Sequence, residues 1–159
     1  MTAFGITAYR ITGLDPAEFA PLFALTDAEL ETREMRRVRA SADTGFPDRV
    51  TLADVPAGTE LILLTRQHLD LASPYRASGP IFVSQGEQAV YESEVPDVLS
   101  RRVISLRAYD RDGMMSEGIV VEGAMLGEQI DRFLSDPETA FIDAHNAGRG
   151  CFAARIERG

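Results

Sequence analysis

Residues 4–12, FGITAYRIT, are rich in aromatic and β-branched types and predict a first strand. Leu14-Asp15-Pro16 then supplies a helix start, because Asp15 can cap and proline suits the first helical position. Phe19, Leu22 and Phe23 recur at helical spacing over 16–24. Thr26-Asp27-Ala28-Glu29 fits a capping box, with Thr26 at the cap and Glu29 three residues on, so a second short helix is predicted over 27–33. Two short helices after one strand suggest a lid packed on a sheet.

The pattern then becomes mostly extended. Glu34–Arg39 alternates weakly, Asp43–Asp48 is a turn cluster, and Arg49–Leu52 reads as short and extended. Pro56–Thr59 turns the chain into Glu60–Thr65, a strong buried-strand signal that is followed closely by His68. Residues 69–80 read as a long loop and Ile81-Phe82-Val83 as a short strand, while Glu92–Arg101 contains Pro96 and a helical turn. VISLRAYD at 103–110 alternates well: Ile104, Leu106 and Ala108 take one face, and Ser105, Arg107 and Tyr109 the other. Arg111-Asp112-Gly113 is a turn, and Met114–Glu122 returns as the partner strand of a hairpin. Residues 125–135 form the clearest helix, with Met125, Ile130, Phe133 and Leu134 on one face. Residues 140–145 and 151–157 are two further strands. The expectation is one α+β domain over residues 1–159: a mainly antiparallel sheet of short strands and hairpins with about three helices packed on it. Strict βαβ alternation and a GxGxxG after a strand are both missing, which excludes a nucleotide-binding Rossmann unit.

Composition narrows the chemistry. With 159 residues, 45% apolar and 26% charged, the chain is long enough to bury its own core without disulfides or a structural metal. No apolar run approaches the ~18–20 residues that span a bilayer. The N-terminus has no basic region followed by an apolar stretch, so no signal peptide is expected. A single cysteine fits a reducing cytoplasm. The net charge of −9 argues against nucleic acid and against an anionic membrane as partners. All 16 basic residues are arginine. Without lysine there is no Schiff base, no pyridoxal phosphate attachment and no P-loop nucleotide site; any other cofactor is left unknown.

The segment HNAGRGC at 145–151 holds the only cysteine and one of two histidines. If 146–150 is a five-residue hairpin loop, His145 lies opposite Cys151, and the pairs continue as Ala144 with Phe152 and Asp143 with Ala153. Ile142, Ala144, Phe152, Ala154 and Ile156 then share an apolar face, and Asp143, His145, Cys151 and Arg155 a polar one. Opposed residues have Cβ atoms about 4.5–5.5 Å apart, close enough for a thiol–imidazole contact. A slip of one residue would separate the two. Three readings stand: a thiolate activated by His145 with Asp143 orienting the ring, a ligand-binding face without catalysis, or a packed cysteine beside a histidine that bonds the loop. A metal site is not expected, since no HxxxH or CxxC spacing is present.

Elsewhere, His68 is either a surface residue at a strand end or part of a site. Tyr75 and Arg76 sit in a loop between Pro74 and Pro80, held for a ligand or capping backbone carbonyls. Arg107, if buried, requires an anionic partner from inside or outside the chain. Arg101-Arg102 reads as a solvated helix end, and Met114-Met115 as packing.

PYRASGPIFV at 74–83, SLRAYD at 105–110, HNAGRGCFAARI at 145–156 and GFPDRVTLAD at 45–54 together resemble the bacterial family filed as domain of unknown function 1203. The resemblance runs from about Gly45 to Arg158. It implies no established activity. Family members often carry a cysteine just before the arginine that matches Arg49; here it is Asp48, which puts a two-cysteine redox or metal scheme in doubt. The matching polar positions are Arg49, His68, Tyr75, Arg76, Arg107, Tyr109, His145 and Cys151, and the resemblance implies that they meet around one pocket. Two functions follow. One is a small-molecule site, enzymatic or not, in which Arg76 and Arg107 hold an anion beside Tyr75 and Tyr109, with His145 free for proton transfer. The other is a non-enzymatic structural or interaction module, such as a homodimer, in which the same arginines lock loops to carboxylates.

Overall fold

The opening signals fold as their chemistry dictates. The computed structural model describes residues 7–159, so residues 4–6 of the first predicted strand lie outside the described residues. The remainder forms β1 (Tyr9–Thr12). Asp15 accepts a hydrogen bond from the Ala17 amide at 3.0 Å, and Pro16 opens a 3₁₀ turn over Pro16–Glu18. Helix α1 (Ala20–Phe23) follows. The capping box is complete, with Thr26 and Glu29 exchanging side-chain-to-backbone bonds of 3.1 Å each, and it starts α2 (Asp27–Thr32).

Strands β2 (Arg36–Arg39), β3 (Pro47–Asp48), β4 (Ala53–Asp54), β5 (Glu60–Leu69), β6 (Ala77–Val83) and β7 (Val90–Glu92) come next. Helix α3 (Asp97–Ser100) precedes the hairpin of β8 (Val103–Tyr109) and β9 (Met115–Glu122). A 3₁₀ turn leads into α4 (Leu126–Leu134), and β10 (Phe141–Asn146) and β11 (Phe152–Arg158) close the chain. Two regions depart from expectation. Residues 49–52, expected to be extended, are a turn between β3 and β4. Strand β5 runs four residues past Thr65, so His68 lies within it, and β6 begins inside the segment expected to be loop.

The expected single sheet is two. The larger has the order β7-β1-β11-β10-β8-β9 and is antiparallel throughout; the smaller has the order β2-β5-β6-β3-β4, with only β3–β6 parallel. This is an α+β fold. On one face of the larger sheet, Ile11, Ile104, Leu106, Ala108, Ile142, Ala144, Ala154 and Ile156 pack against Val98 and Leu99 of α3 and Leu126, Ile130, Phe133 and Leu134 of α4. Helices α1 and α2 cover the smaller sheet, with Phe19 and Leu30 on Ile62, Leu64, Ile81 and Val83. Phe152 of the larger sheet enters this second core and joins the two sheets.

Candidate functional site

Register decides the chemistry of the β10–β11 hairpin. The observed pairs are Ile142 with Ile156, Asp143 with Arg155, Ala144 with Ala154 and, after a bulge, His145 with Phe152. The expected pairing of His145 with Cys151 is therefore corrected. Over residues 142–144 the register is shifted by two residues from the expected pairing. An even shift keeps side chains on their faces, so Ile142, Ala144, Ala154 and Ile156 are apolar core as predicted, with Asp143 and Arg155 opposite them. The bulge takes up Ala153 and turns Phe152 onto the face of His145. The loop itself is tight: Asn146 N–H donates to the Cys151 carbonyl at 2.9 Å and Gly150 N–H to the Asn146 carbonyl at 2.7 Å. Gly150 has φ +80°, which glycine adopts without strain.

His145 secures this loop. Its Nδ1 lies 2.9 Å from the Gly150 carbonyl, and because a carbonyl only accepts, Nδ1 carries the proton. Nε2 is left deprotonated, buried and without a partner among the described residues. Burial pushes the ring down to about 4; the charges of Arg107 and Arg49 and the neighbouring His68 act in the same direction, and the Gly150 bond acts against them. The His68 ring stacks on Phe152 at 5.3 Å and meets His145 edge-on at 4.9 Å. Burial, followed by Arg107, Arg155 and Arg66, lowers its pKa as well.

A second polar group lies along the seam of the sheets. Asp143 is fully buried and accepts two bonds from Arg155, at 2.8 and 3.1 Å. Burial raises its pKa, against the pull of Arg155. Arg155 also donates to the His68 carbonyl at 2.9 Å and lies 4.2 Å from the Phe141 ring centre. Tyr109 is buried, stacks on Phe141 at 5.2 Å and has its pKa raised by burial. Arg107 bonds Ser105 at 3.1 Å; among the described residues it forms no ion pair, contrary to the internal salt bridge expected of it as one alternative. Arg76 is exposed and paired with Asp70 at 2.6 Å, and Tyr75 is exposed at the surface, 6.3 Å from the Tyr109 ring.

The expected convergence on one pocket is thus divided. His68, Arg107, Tyr109, Asp143 and His145 sit in the seam, Tyr75 and Arg76 on an outer loop, and Arg49 and Cys151 in a cavity. That cavity, about 520 Å³, opens between the 146–151 loop and the smaller sheet. Its polar lining is Arg49, Arg102, Asn146, Arg149 and Cys151; its apolar wall is Leu63, Pro80, Ile81, Phe82 and Val103. Arg102 donates to Asp54 at 2.8 Å and to the Val98 carbonyl at 2.7 Å, so it is held in place and not a solvated helix end. Arg101, paired with Asp97 on the surface, does fit that description. Asn146 Oδ1 is buried without a partner among the described residues.

Arg49 is the unusual group. It is only 4% exposed, and among the described residues it forms no ion pair. Its guanidinium donates to the carbonyls of Phe152, at 2.8 Å, and Pro47. Burial pushes it down to about 10 while Cys151, Asp48 and Asp54 pull the other way, so it stays cationic at neutral pH. The neighbouring Asp48 makes no ion pair with it: its carboxylate accepts from Val50, Thr51 and Ser84, and it acts on Arg49 only through its charge.

A larger cavity of about 660 Å³ lies beneath the lid, lined by Phe19, Leu22, Leu64, Arg66, His68 and Arg155 among others. Its cations are already neutralised, Arg66 by Glu18 and Arg155 by Asp143. Among the described residues no group of three His, Cys, Asp or Glu is placed to hold a metal ion, and no helix is long and apolar enough to cross a membrane.

The family described as "Protein of unknown function (DUF1203)" matches residues 45–158. The chain belongs to that family. Comparison with curated proteins and with solved structures finds no match. Every residue lining the cavity of Arg49 lies inside the matched span, whereas the lid residues of the larger cavity lie before it. Arg102, Asn146 and Arg149 were not selected from sequence. Arg149 and Asn146 stood inside the HNAGRGC segment, and their position in a glycine-rich loop was the only available signal.

Proposed function

We propose that this chain binds a small anion in the cavity under the β10–β11 loop, with Arg49 as the anchor. The observation that carries the reading is a buried guanidinium that lines a cavity and, among the described residues, forms no ion pair with a carboxylate. An uncompensated buried charge costs several kcal/mol, and a ligand anion supplies the missing partner in forked geometry. Arg149 adds an exposed cation to the lining, and Arg102, with its charge already matched by Asp54, is held in place beside it. His145 acts as a positioning residue: its bond to Gly150 holds the loop that presents Arg149 and Cys151. Cys151 is the one nucleophile in the cavity, and catalysis by it is a narrower reading that its reactivity tests.

Isothermal titration with inorganic phosphate, acetate and benzoate tests the site. Saturable binding is expected for at least one of them, weakened roughly 10- to 100-fold in Arg49→Gln, as for loss of a charged hydrogen bond. With a net charge of −9, general surface adsorption of anions is disfavoured, so saturation reports a site. Arg49→Lys keeps the charge but not the fork, and circular dichroism on both variants separates lost binding from lost folding. Absence of saturable binding by all three anions, or affinities that Arg49→Gln leaves unchanged in a folded protein, rejects the reading in favour of Arg49 as a purely structural lock on the Pro47 and Phe152 carbonyls.

A further inference from the structure

The ligand class can be narrowed from the two unlike halves of the cavity. One half carries charge. Arg49 and Arg149 form no ion pair among the described residues, while Arg102 is matched by Asp54. Two cations without an ion pair suit a monoanion or dianion and fall short of a polyphosphate, and the glycine-rich loop after β10 leads into strand β11, not into a helix N-terminus that would cradle phosphates. The other half is hydrocarbon. Leu63 and Phe82 are directly paired across β5 and β6, and Val103, at the start of β8, is 44% exposed despite being a large apolar residue. A cavity of about 520 Å³ is in the range that encloses organic ligands, and an inorganic anion at Arg49 would leave this wall uncovered. The tilted contact of Phe46 with Phe82, with ring centres 5.7 Å apart, supports the wall from the neighbouring β3 side.

Resting on the anion-site reading above, we infer that the natural ligand is an amphiphilic organic acid, its carboxylate on Arg49 and its hydrocarbon body on Leu63, Phe82 and Val103. Straight-chain carboxylates from acetate to octanoate, titrated calorimetrically into the intact protein, test this, with 1-octanol as the uncharged control. Each added methylene is expected to tighten binding by about fourfold until the cavity is full. Val103→Ser is expected to flatten this slope while leaving acetate unchanged. Arg149→Gln is expected to weaken every acid by one common factor and leave the slope intact. Both positions are partly exposed, so both variants are expected to fold, with circular dichroism as the check. Equal affinity for acetate and octanoate overturns the amphiphile while the anion site stands. Octanol binding as tightly as octanoate overturns the charged head, and failure of every acid and of phosphate overturns both readings.

Discussion

The buried imidazole of His145 makes a quantitative demand on how stability varies with pH. In the unfolded chain a histidine titrates near ~6.5; in the fold His145 is pushed down to about 4. Below 6.5 the unfolded chain takes up a proton that the folded chain refuses, so stability falls as pH falls through this window. Integrating the linkage between those two values gives a loss of about 2 kcal/mol by pH 5 and about 3 kcal/mol by pH 4. His68, whose pKa is also lowered, contributes a slope of the same sign. Asp143, whose pKa is raised, contributes with the opposite sign, since acid relieves its burial. Urea unfolding of the native chain and of His145→Gln at a series of pH values isolates the one group, because the other terms cancel in the difference. Gln retains an N–H for the Gly150 carbonyl. The stability advantage of the native chain over the variant is expected to shrink by about 2 kcal/mol between pH 7.5 and pH 5. A difference that stays flat over that interval refutes a neutral, desolvated His145.

Two structural predictions accompany this one. Arg155→Ala leaves the fully buried Asp143 carboxylate without its bidentate partner, so a cost of roughly 3–5 kcal/mol at neutral pH is expected in urea unfolding, shrinking in acid as Asp143 protonates; a cost below about 1 kcal/mol would show that the buried carboxylate does not depend on Arg155. Gly13→Ala places a methyl group 2.0 Å from the Val50 carbonyl oxygen, whereas Gly148→Ala meets nothing within 4 Å. The first is expected to lower the thermal midpoint by an overpacking cost of about 1–3 kcal/mol and the second to stay within about 0.5 kcal/mol, measured side by side by calorimetry.

Local chemistry made much of the fold legible. The Asp15-Pro16 start, the Thr26/Glu29 box, the alternation of VISLRAYD and the apolar stripe of Ile130, Phe133 and Leu134 act within a few residues, and each produced its element, although Met125, expected on that stripe, is exposed in the 3₁₀ turn before the helix. Strand β7 escaped notice because its three residues pair only with β1, a contact invisible to periodicity. The length of β5 escaped for a related reason: Arg66, Gln67 and His68 are polar, and they are held extended by pairing with β6. Which residues meet at a site was less legible still. Face parity in the closing hairpin held for Asp143 and Arg155 because the register error was even, but one bulge carried Phe152 to the opposite side and broke the His145–Cys151 pairing.

By itself, the sequence determined the family, the α+β class, the identity of most elements, and the exclusion of every chemistry that needs lysine. These follow from composition and from short-range periodicity, which sum over neighbours along the chain. The tertiary structure alone decided that the strands divide into two sheets, that Arg76 is neutralised by Asp70, and that Arg49 is buried beside Arg102, Arg149 and Cys151 with no ion pair among the described residues. Whether an arginine is spent on an internal carboxylate or left for a ligand depends on which of 25 acidic side chains arrives within a few ångströms of it. That is a question of distance in the folded chain, and no spacing along the sequence encodes it.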